Sequence, residues 1–408
     1  MSVVITTVLI WPFLGRILNQ SLLGELSLHF AIASILAPAL CLGAHLYLAN
    51  RMASGREIGI AVEARTAVTL TTALYAFSLL MTTSSFIFEF SNVLMSIGLS
   101  AAVSAYLVTS GVMRGIDRPR SFAFFAFSVQ VIGLAGLGLA AAATEELRTG
   151  ILAYDLMIGI PVAAQYLLLR HQLIAVRWRS ITTTLVKSAS LVPHLVLAVA
   201  LLMMMRVLVS IQLGNQAAAN YTFASLIIGG SLTVGASLDA HWSVRAQASK
   251  TVHSLSSVLS RNQHRIQIIL LAASAGVALF LFFGLDLWLP AGYDSAGVRV
   301  AVICAIPAAS LQALADGRAA VLMWTNSPAL VSLSTSLGTL VTVALAYFLL
   351  PSYGWPVIGI ALTGGLLVRT IIATLSTRLV CADSRVGALN YVILFVQFIF
   401  ASTLFAIA

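Results

Sequence analysis

Residues 190–228, SLVPHLVLAVALLMMMRVLVSIQLGNQAAANYTFASLII, decide how the whole chain is to be read. The stretch is long enough to cross a bilayer, turn through a short polar link and start back. Arg206 interrupts the first apolar run about seven residues, or ~10 Å, from its nearer end. A guanidinium in hydrocarbon costs at least ~2.5 kcal/mol on insertion scales, so such a residue normally faces a bundle interior or a water-filled cavity. The run therefore predicts a transmembrane helix that turns a positive charge inward.

Composition carries the same reading to the rest of the chain. Only 9% of the 408 residues are charged and 60% are hydrophobic, with a mean hydropathy of +1.01. A soluble domain has roughly 25% charged residues, so the balance is that of a polytopic membrane protein. The net charge of +9 does not indicate nucleic acid, because the bases form short clusters between apolar runs and no continuous stripe. Cys41, Cys304 and Cys381 are widely separated and give neither a disulfide framework nor a metal site. The opening MSVVITTVLIWPFLGRIL lacks a basic n-region and a small-residue cleavage site, so it is expected to stay as the first helix.

Apolar runs near 2–20, 24–49, 66–88, 91–113, 122–143, 150–170, 190–213, 218–240, 265–288, 297–321, 327–350, 356–379 and 387–407 are each of spanning length. The fold class expected is all-α: about twelve core transmembrane helices in two six-helix lobes, plus one trailing helix. The lobes are 1–170 and 190–380, the linker between them 171–189, and the trailing helix 381–408. One set of alternate loops carries nearly all the bases: Arg51, Arg56 and Arg65; Arg114, Arg118 and Arg120; Arg170, Arg177, Arg179 and Lys187; Arg245, Lys250, Arg261 and Arg265; Arg318; Arg378 and Arg385. Opposite loops hold little more than Arg16 and Arg148. The asymmetry places the N-terminus in the cytoplasm.

Two stretches mix bases with apolar residues, 171–189 (HQLIAVRWRSITTTLVKSA) and 241–264. Both read as amphipathic helices on the inner leaflet, the first joining the lobes; the plainer alternative is a basic loop. With both lobes beginning inside, they would be parallel repeats with the binding site between them.

Few residues inside the runs carry chemistry. Arg369 lies far from both ends of its run, and Gly365, four residues earlier, shares its helix face. Arg369 either meets an anion in a cavity, its planar fork suiting phosphate oxygens, or pairs with a carboxylate on a neighbouring helix. Arg206 has the same two readings, with Ser210 on its face. Arg16 sits nearer an end, where snorkelling competes with cargo contact, and Arg299 reads as an interface anchor. His194, after Pro193 at the inner end of its helix, is a candidate proton carrier or a headgroup-level residue. Asp155 is the best candidate for a buried carboxylate and a second candidate for proton coupling. Asp239 and Asp316 read as loop-side partners of Arg245 and Arg318. His29 and His45 lie 16 residues apart, about 160° around a helix, and make no shared metal site. Pro12, Pro38, Pro161 and Pro307, with the pairs Gly229–Gly230 and Gly364–Gly365, mark possible bends.

Several segments together resemble the O-antigen and exopolysaccharide flippases of the multidrug/oligosaccharidyl-lipid/polysaccharide exporter superfamily. FLGRILNQSLLGELSLHFAIAS is similar to that family's opening, with Arg16 and Gly24, although Asn19 stands where glycine is usual and the acidic pair is absent. SLVPHLVLA around Pro193, NQAAANYTFASL with Tyr221 and Ala224, LWLPAGYDSA with Tyr293 and Ala296, and FLLPSYGWPVIGIALTGG with Pro351, Tyr353, Gly354 and Gly359 follow in the family's order and spacing. The resemblance implies alternating-access movement of a polyprenyl-diphosphate-linked oligosaccharide from the inner to the outer leaflet of the bacterial cytoplasmic membrane. It implies cargo contacts for Arg16, Arg206 and Arg369, no cofactor, and membrane lipids, glycan polymerase and export machinery as partners. A cation-coupled drug exporter of the same fold is the second reading; it needs buried carboxylates, and the first run has none. A membrane polymerase or acyltransferase is the third. The short outer loops offer no Ser/His/Asp, paired-carboxylate or metal-ligand arrangement for it, so no enzymatic activity is expected.

Overall fold

The computed structural model describes residues 2–45, 47–48, 57–88, 90–115, 124, 127–170, 178–189, 192–247, 252–325, 327–380 and 388–407. Among these residues the chain is helical, with no strand. It is an all-α polytopic membrane protein.

The helices are α1 (Ser2–Ile17), α2 (Gln20–Leu40), α3 (Glu57–Ser84), α4 (Ser91–Gly115), α5 (Leu134–Thr144), α6 (Leu147–Leu169), α7 (Trp178–Ala189) and α8 (Val192–Leu213). They continue with α9 (Asn215–Gln247), α10 (Val252–Leu279), α11 (Leu285–Trp288), α12 (Ser295–Trp324), α13 (Pro328–Tyr353), α14 (Ile358–Val380) and α15 (Ala388–Ile407). Among the described residues nine helical stretches are long and apolar enough to cross a bilayer, from Gln20–Leu40 to Trp355–Val380; Val131–Thr144, Val199–Leu213 and Asn390–Ala406 are shorter apolar helices. Large apolar side chains face outward, among them Phe283 at 79%, Leu287 at 80% and Leu379 at 86% exposure. In water that pattern would be unfavourable; against lipid tails it is what a spanning helix requires.

The chain forms two compact units, Met1–Val207 and Leu208–Ala408. In the first, α4 packs against α2, α3 and α6, and α5 against α1 and α6. In the second, α14 packs against α12 and α13, while α15 lies along α10 and α12.

Several expected boundaries move for local reasons. The third run is expected from residue 66, but α3 begins at Glu57, because EIGIAVEAR continues the helical ladder beyond the apolar segment. Residues 122–143 do not form one α-helix: a π-helical turn, Ser128–Gly133, precedes α5. The described residues of 241–264 form no separate interfacial helix. Residues 241–247 complete α9, and 252–264 open α10, with no Gly or Pro to break either. Of the linker, 178–189 is helix α7, which packs on α3 and buries Ile181, Thr184 and Ser188 while exposing Thr182, Thr183, Val186 and Lys187; residues 171–177 lie outside the described set. So do the loop bases Arg51, Arg56, Arg118, Arg120, Lys250 and Arg385, and Cys381. The prolines 12, 38, 161 and 307 all sit inside continuous helices.

Several residues of the segments that carry the resemblance act as clasps and caps. Asn19 takes the N-cap position of α2, its side-chain oxygen accepting from the Leu22 N–H at 2.8 Å, so an asparagine there caps the helix. The Asn220 side chain accepts from the backbone N–H of Asp294 at 2.9 Å, and the Asp294 carboxylate accepts from the Gly297 N–H at 2.8 Å at the start of α12. Phe223 meets Tyr293 and Trp288 edge to face, with ring centroids 4.8 and 5.5 Å apart. Burial of Tyr293 pushes its phenol up to about 12. Gly354 ends α13 at φ 72°, a left-handed turn that favours glycine.

Glycines also set how closely helices approach. A Cβ on Gly365 would strike the Thr342 hydroxyl and lie 2.6 Å from the Gly338 carbonyl oxygen, so α13 and α14 would have to separate. A Cβ on Gly359 would strike the Ala301 carbonyl and stand 2.9 Å from the Cys304 Cβ, between α12 and α14. Gly365→Ala and Gly359→Ala should each destabilise the protein by ~1–3 kcal/mol through overpacking. Gly276→Ala in α10, with nothing within 4 Å of its Cβ position, should be neutral or gain ~0.5–1 kcal/mol. Thermal unfolding of the purified variants in detergent separates the two groups.

Candidate functional site

The first unit places a cation and a carboxylate in its interior. Arg206, on α8, is 5% exposed, and its guanidinium lies over the Trp11 ring of α1 at 5.9 Å from the centroid. An arginine over an indole face gains cation–π attraction of ~1–2 kcal/mol where water is scarce. Trp11 is the first of a run of edge-to-face rings: Trp11 to Phe30 at 6.3 Å, and Phe30 to Tyr154 at 5.3 Å. Asp155, beside Tyr154, is fully buried. One of its oxygens, Oδ2, accepts from the Ser78 hydroxyl at 2.9 Å and the Thr82 hydroxyl at 2.6 Å, both on α3. The other oxygen is buried with no partner among the described residues. Gly98 on α4 lets Thr82 approach, since a Cβ there would collide with its hydroxyl. A buried carboxyl with two hydroxyl donors and one oxygen unpartnered among the described residues is suited to carrying a proton.

Arg16 is exposed in the last turn of α1. His194 belongs to α8, but its side chain lies outside the described residues, as does that of Asp239. Ser210, expected beside Arg206, donates its hydroxyl to the Asn215 side chain at 2.8 Å, across the link into α9.

The second unit shows what Arg369 does. Its Nη1 donates to the Gln312 side-chain oxygen at 2.7 Å and its Nη2 to Asp316 Oδ1 at 2.8 Å. The Gln312 amide then donates to Asp316 Oδ2 at 2.8 Å, closing a triad between α12 and α14. Asp316 therefore pairs with Arg369 across α12 and α14, and Arg318, expected in a loop, is buried within α12. Gly365, on the same helix face, admits Thr342 and Gly338 of α13 through its missing side chain. Arg299, expected as an interface anchor, pairs with Asp286 and donates its Nε–H to the Leu281 carbonyl at 3.0 Å, in the π-helical turn Phe280–Gly284.

Two polar pairings, Gln312 with Asp316 and Glu25 with His29, were not drawn from the sequence. Gln312 and Asp316 lie four residues apart in an apolar run, so their sharing of one helix face was visible. On α2, buried His29 contacts the Ser96 hydroxyl of α4 through Nδ1 at 2.7 Å, and its Nε2 stands 3.8 Å from Glu25. The Glu25–His29 spacing of four was also a signal. Among the described residues no three His, Cys, Asp or Glu side chains gather as a metal site.

No family model and no curated protein sequence matches the chain. Solved structures do. An inward-facing multidrug resistance MATE family transporter of the MOP superfamily aligns over 96% of this chain and 95% of its own, with a TM-score of 0.63 at 14% identity. An outward-facing structure of such a transporter covers 96% and 93%, with a TM-score of 0.65 at 15% identity. A MATE transporter of Vibrio cholerae covers 95% and 100%, with a TM-score of 0.51 at 11% identity. The chain has the MATE-type transporter fold.

Proposed function

We propose that this protein is an alternating-access flippase that moves a polyprenyl-diphosphate-linked oligosaccharide from the inner to the outer leaflet of a bacterial cytoplasmic membrane, with its N-terminus in the cytoplasm. The observation that carries the reading is the sign of charge within the spans. Helix α1 holds Arg16 and helix α8 holds Arg206, and neither helix contains an acidic residue. Buried arginine favours an anionic cargo, and its fork of donors matches a diphosphate. Arg16, Arg206 and Arg369 are the proposed cargo contacts. The polyprenyl tail needs no aqueous path, since hydrocarbon already surrounds the helices.

Alternating access is drawn from the fold, which is shared with transporters solved both inward- and outward-facing. Asp155 is the proposed carrier of the driving proton, and His194 a second. Membrane lipids, a glycan polymerase and export machinery are the expected partners, and the protein is not an enzyme. One observation favours the alternative of a multidrug exporter: Asp155 is a buried carboxylate with an empty oxygen, the kind of group a cation-coupled pump uses.

Cells lacking the chain should accumulate lipid-linked oligosaccharide in the inner leaflet and lose the surface glycan. A normal surface glycan together with greater sensitivity to cationic drugs would reject the flippase.

A further inference from the structure

We propose that Asp316 is the resident counter-ion of Arg369 and occupies the position that a phosphate group of the cargo takes, so that cargo binding at this site is an exchange of one anion for another. The inference rests on the reading of the cargo as a phosphate-bearing lipid.

The triad is built for such an exchange. Asp316 Oδ1 receives one N–H of the guanidinium at 2.8 Å, and Gln312 receives another at 2.7 Å. A phosphate oxygen accepts in the same geometry as a carboxylate oxygen. The Nε–H of Arg369 is buried and donates to nothing among the described residues, so the guanidinium has donor capacity that Asp316 does not use.

The stem of the arginine is fixed. Helix α13 backs onto it so closely that a Cβ on Gly338 would lie 2.6 Å from the Arg369 Cβ. Neither side chain is sealed off: that of Arg369 is 11% exposed and that of Asp316 20%. Asp316, the more exposed partner, is the member of the pair that leaves in this exchange, while Arg369 stays in place.

The energetics favour replacement. For an ion pair removed from water, the loss of hydration nearly cancels the mutual attraction, so the resting pair is only weakly favoured. A diphosphate brings more charge and more acceptor oxygens than a single carboxylate, and can displace it. The returning carboxylate then competes the cargo off again, which a transporter needs: a site that binds and does not release cannot turn over. Gln312 positions both partners, since it accepts from Arg369 and donates to Asp316 Oδ2 at 2.8 Å.

The test is binding of inorganic pyrophosphate to the purified full chain in detergent, followed by calorimetry, with thermal unfolding of each ligand-free variant as the folding control. Wild type should bind weakly and Arg369→Ala not measurably. Asp316→Asn should bind about tenfold more tightly, within the usual range of coupling between sites. Asp316→Glu, which keeps the competing charge, should resemble wild type. Gln312→Met, which loosens the carboxylate but keeps both charges, should give a smaller gain in the same direction, and it carries the test should Asp316→Asn not fold. Unchanged or weaker binding in Asp316→Asn and Gln312→Met, with the loss in Arg369→Ala intact, would overturn the exchange and leave Arg369 as a phosphate contact. Equal binding in Arg369→Ala would overturn it by placing the anion elsewhere. No binding by any form would overturn the phosphate-lipid reading, and the exchange with it.

Discussion

Replacing Arg206 with alanine is expected to abolish cargo export while the protein remains in the membrane at its normal level. The side chain is 5% exposed within α8 and held over Trp11. A hydrogen bond to a charged group contributes ~1.5–3 kcal/mol. Losing one such contact lowers cargo affinity on the order of 10–100-fold, and losing the fork lowers it further. Stability should not fall in step. The substitution removes the cation–π contact, but it also removes a charge that costs at least ~2.5 kcal/mol in a membrane. Arg206→Lys should restore export only in part, because a point charge cannot reproduce the planar fork. Trp11→Ala, which removes the ring beneath the guanidinium, should weaken export less than Arg206→Ala does. Surface glycan and membrane protein level, measured in the same cells, separate loss of function from loss of protein. Unchanged export in Arg206→Ala would remove this residue from the site.

The second large effect is expected at Asp155. Asparagine keeps the size of the side chain and an oxygen to accept from Ser78 and Thr82, but it cannot take up or release a proton. Asp155→Asn should therefore fold, and transport by the reconstituted protein should lose its response to an imposed proton gradient. The titratable groups on the helices around this position are Tyr75 on α3, Tyr106 on α4, Arg148, Tyr154 and Tyr166 on α6, and Glu25 and His29 on α2, whose Phe30 meets Tyr154. Glu57, Glu63 and Arg65 lie on α3 at least ten residues from Tyr75, and Arg114 ends α4. Helix α5 and the π-helical turn before it contain none. A gradient response that survives in Asp155→Asn would make the carboxyl a structural acceptor for the two hydroxyls.

How far the sequence reached can be seen residue by residue. Apolar run length marked nearly every spanning helix, because a bilayer demands ~20 such residues and helical backbone. It did not mark the helix ends: Glu57 and Gln247 lie in residues that propagate a helix whether or not lipid surrounds them. The π-helical turn at Ser128–Gly133 was not legible either, since nothing in SVQVIG distinguishes a five-residue from a four-residue hydrogen-bond step. The resemblance motifs agree with the fold, and the structure explains what several of their residues do: Asn220, Phe223, Tyr293 and Asp294 tie helix ends together. Arg369 shows the limit most clearly. The sequence left it between an anion contact and a carboxylate pair, because Asp316 is 53 residues away and only packing of α12 on α14 brings them together.

The central claim is that the cargo is an anionic, lipid-linked glycan. It is tested most directly by reconstituting the purified protein in vesicles with a fluorescent polyprenyl-diphosphate oligosaccharide and measuring its appearance in the opposite leaflet. The account predicts translocation by wild type and its loss in Arg206→Ala, with no transport of a cationic dye under the same gradient. Movement of the dye without movement of the lipid-linked glycan would contradict it and make the protein a drug exporter.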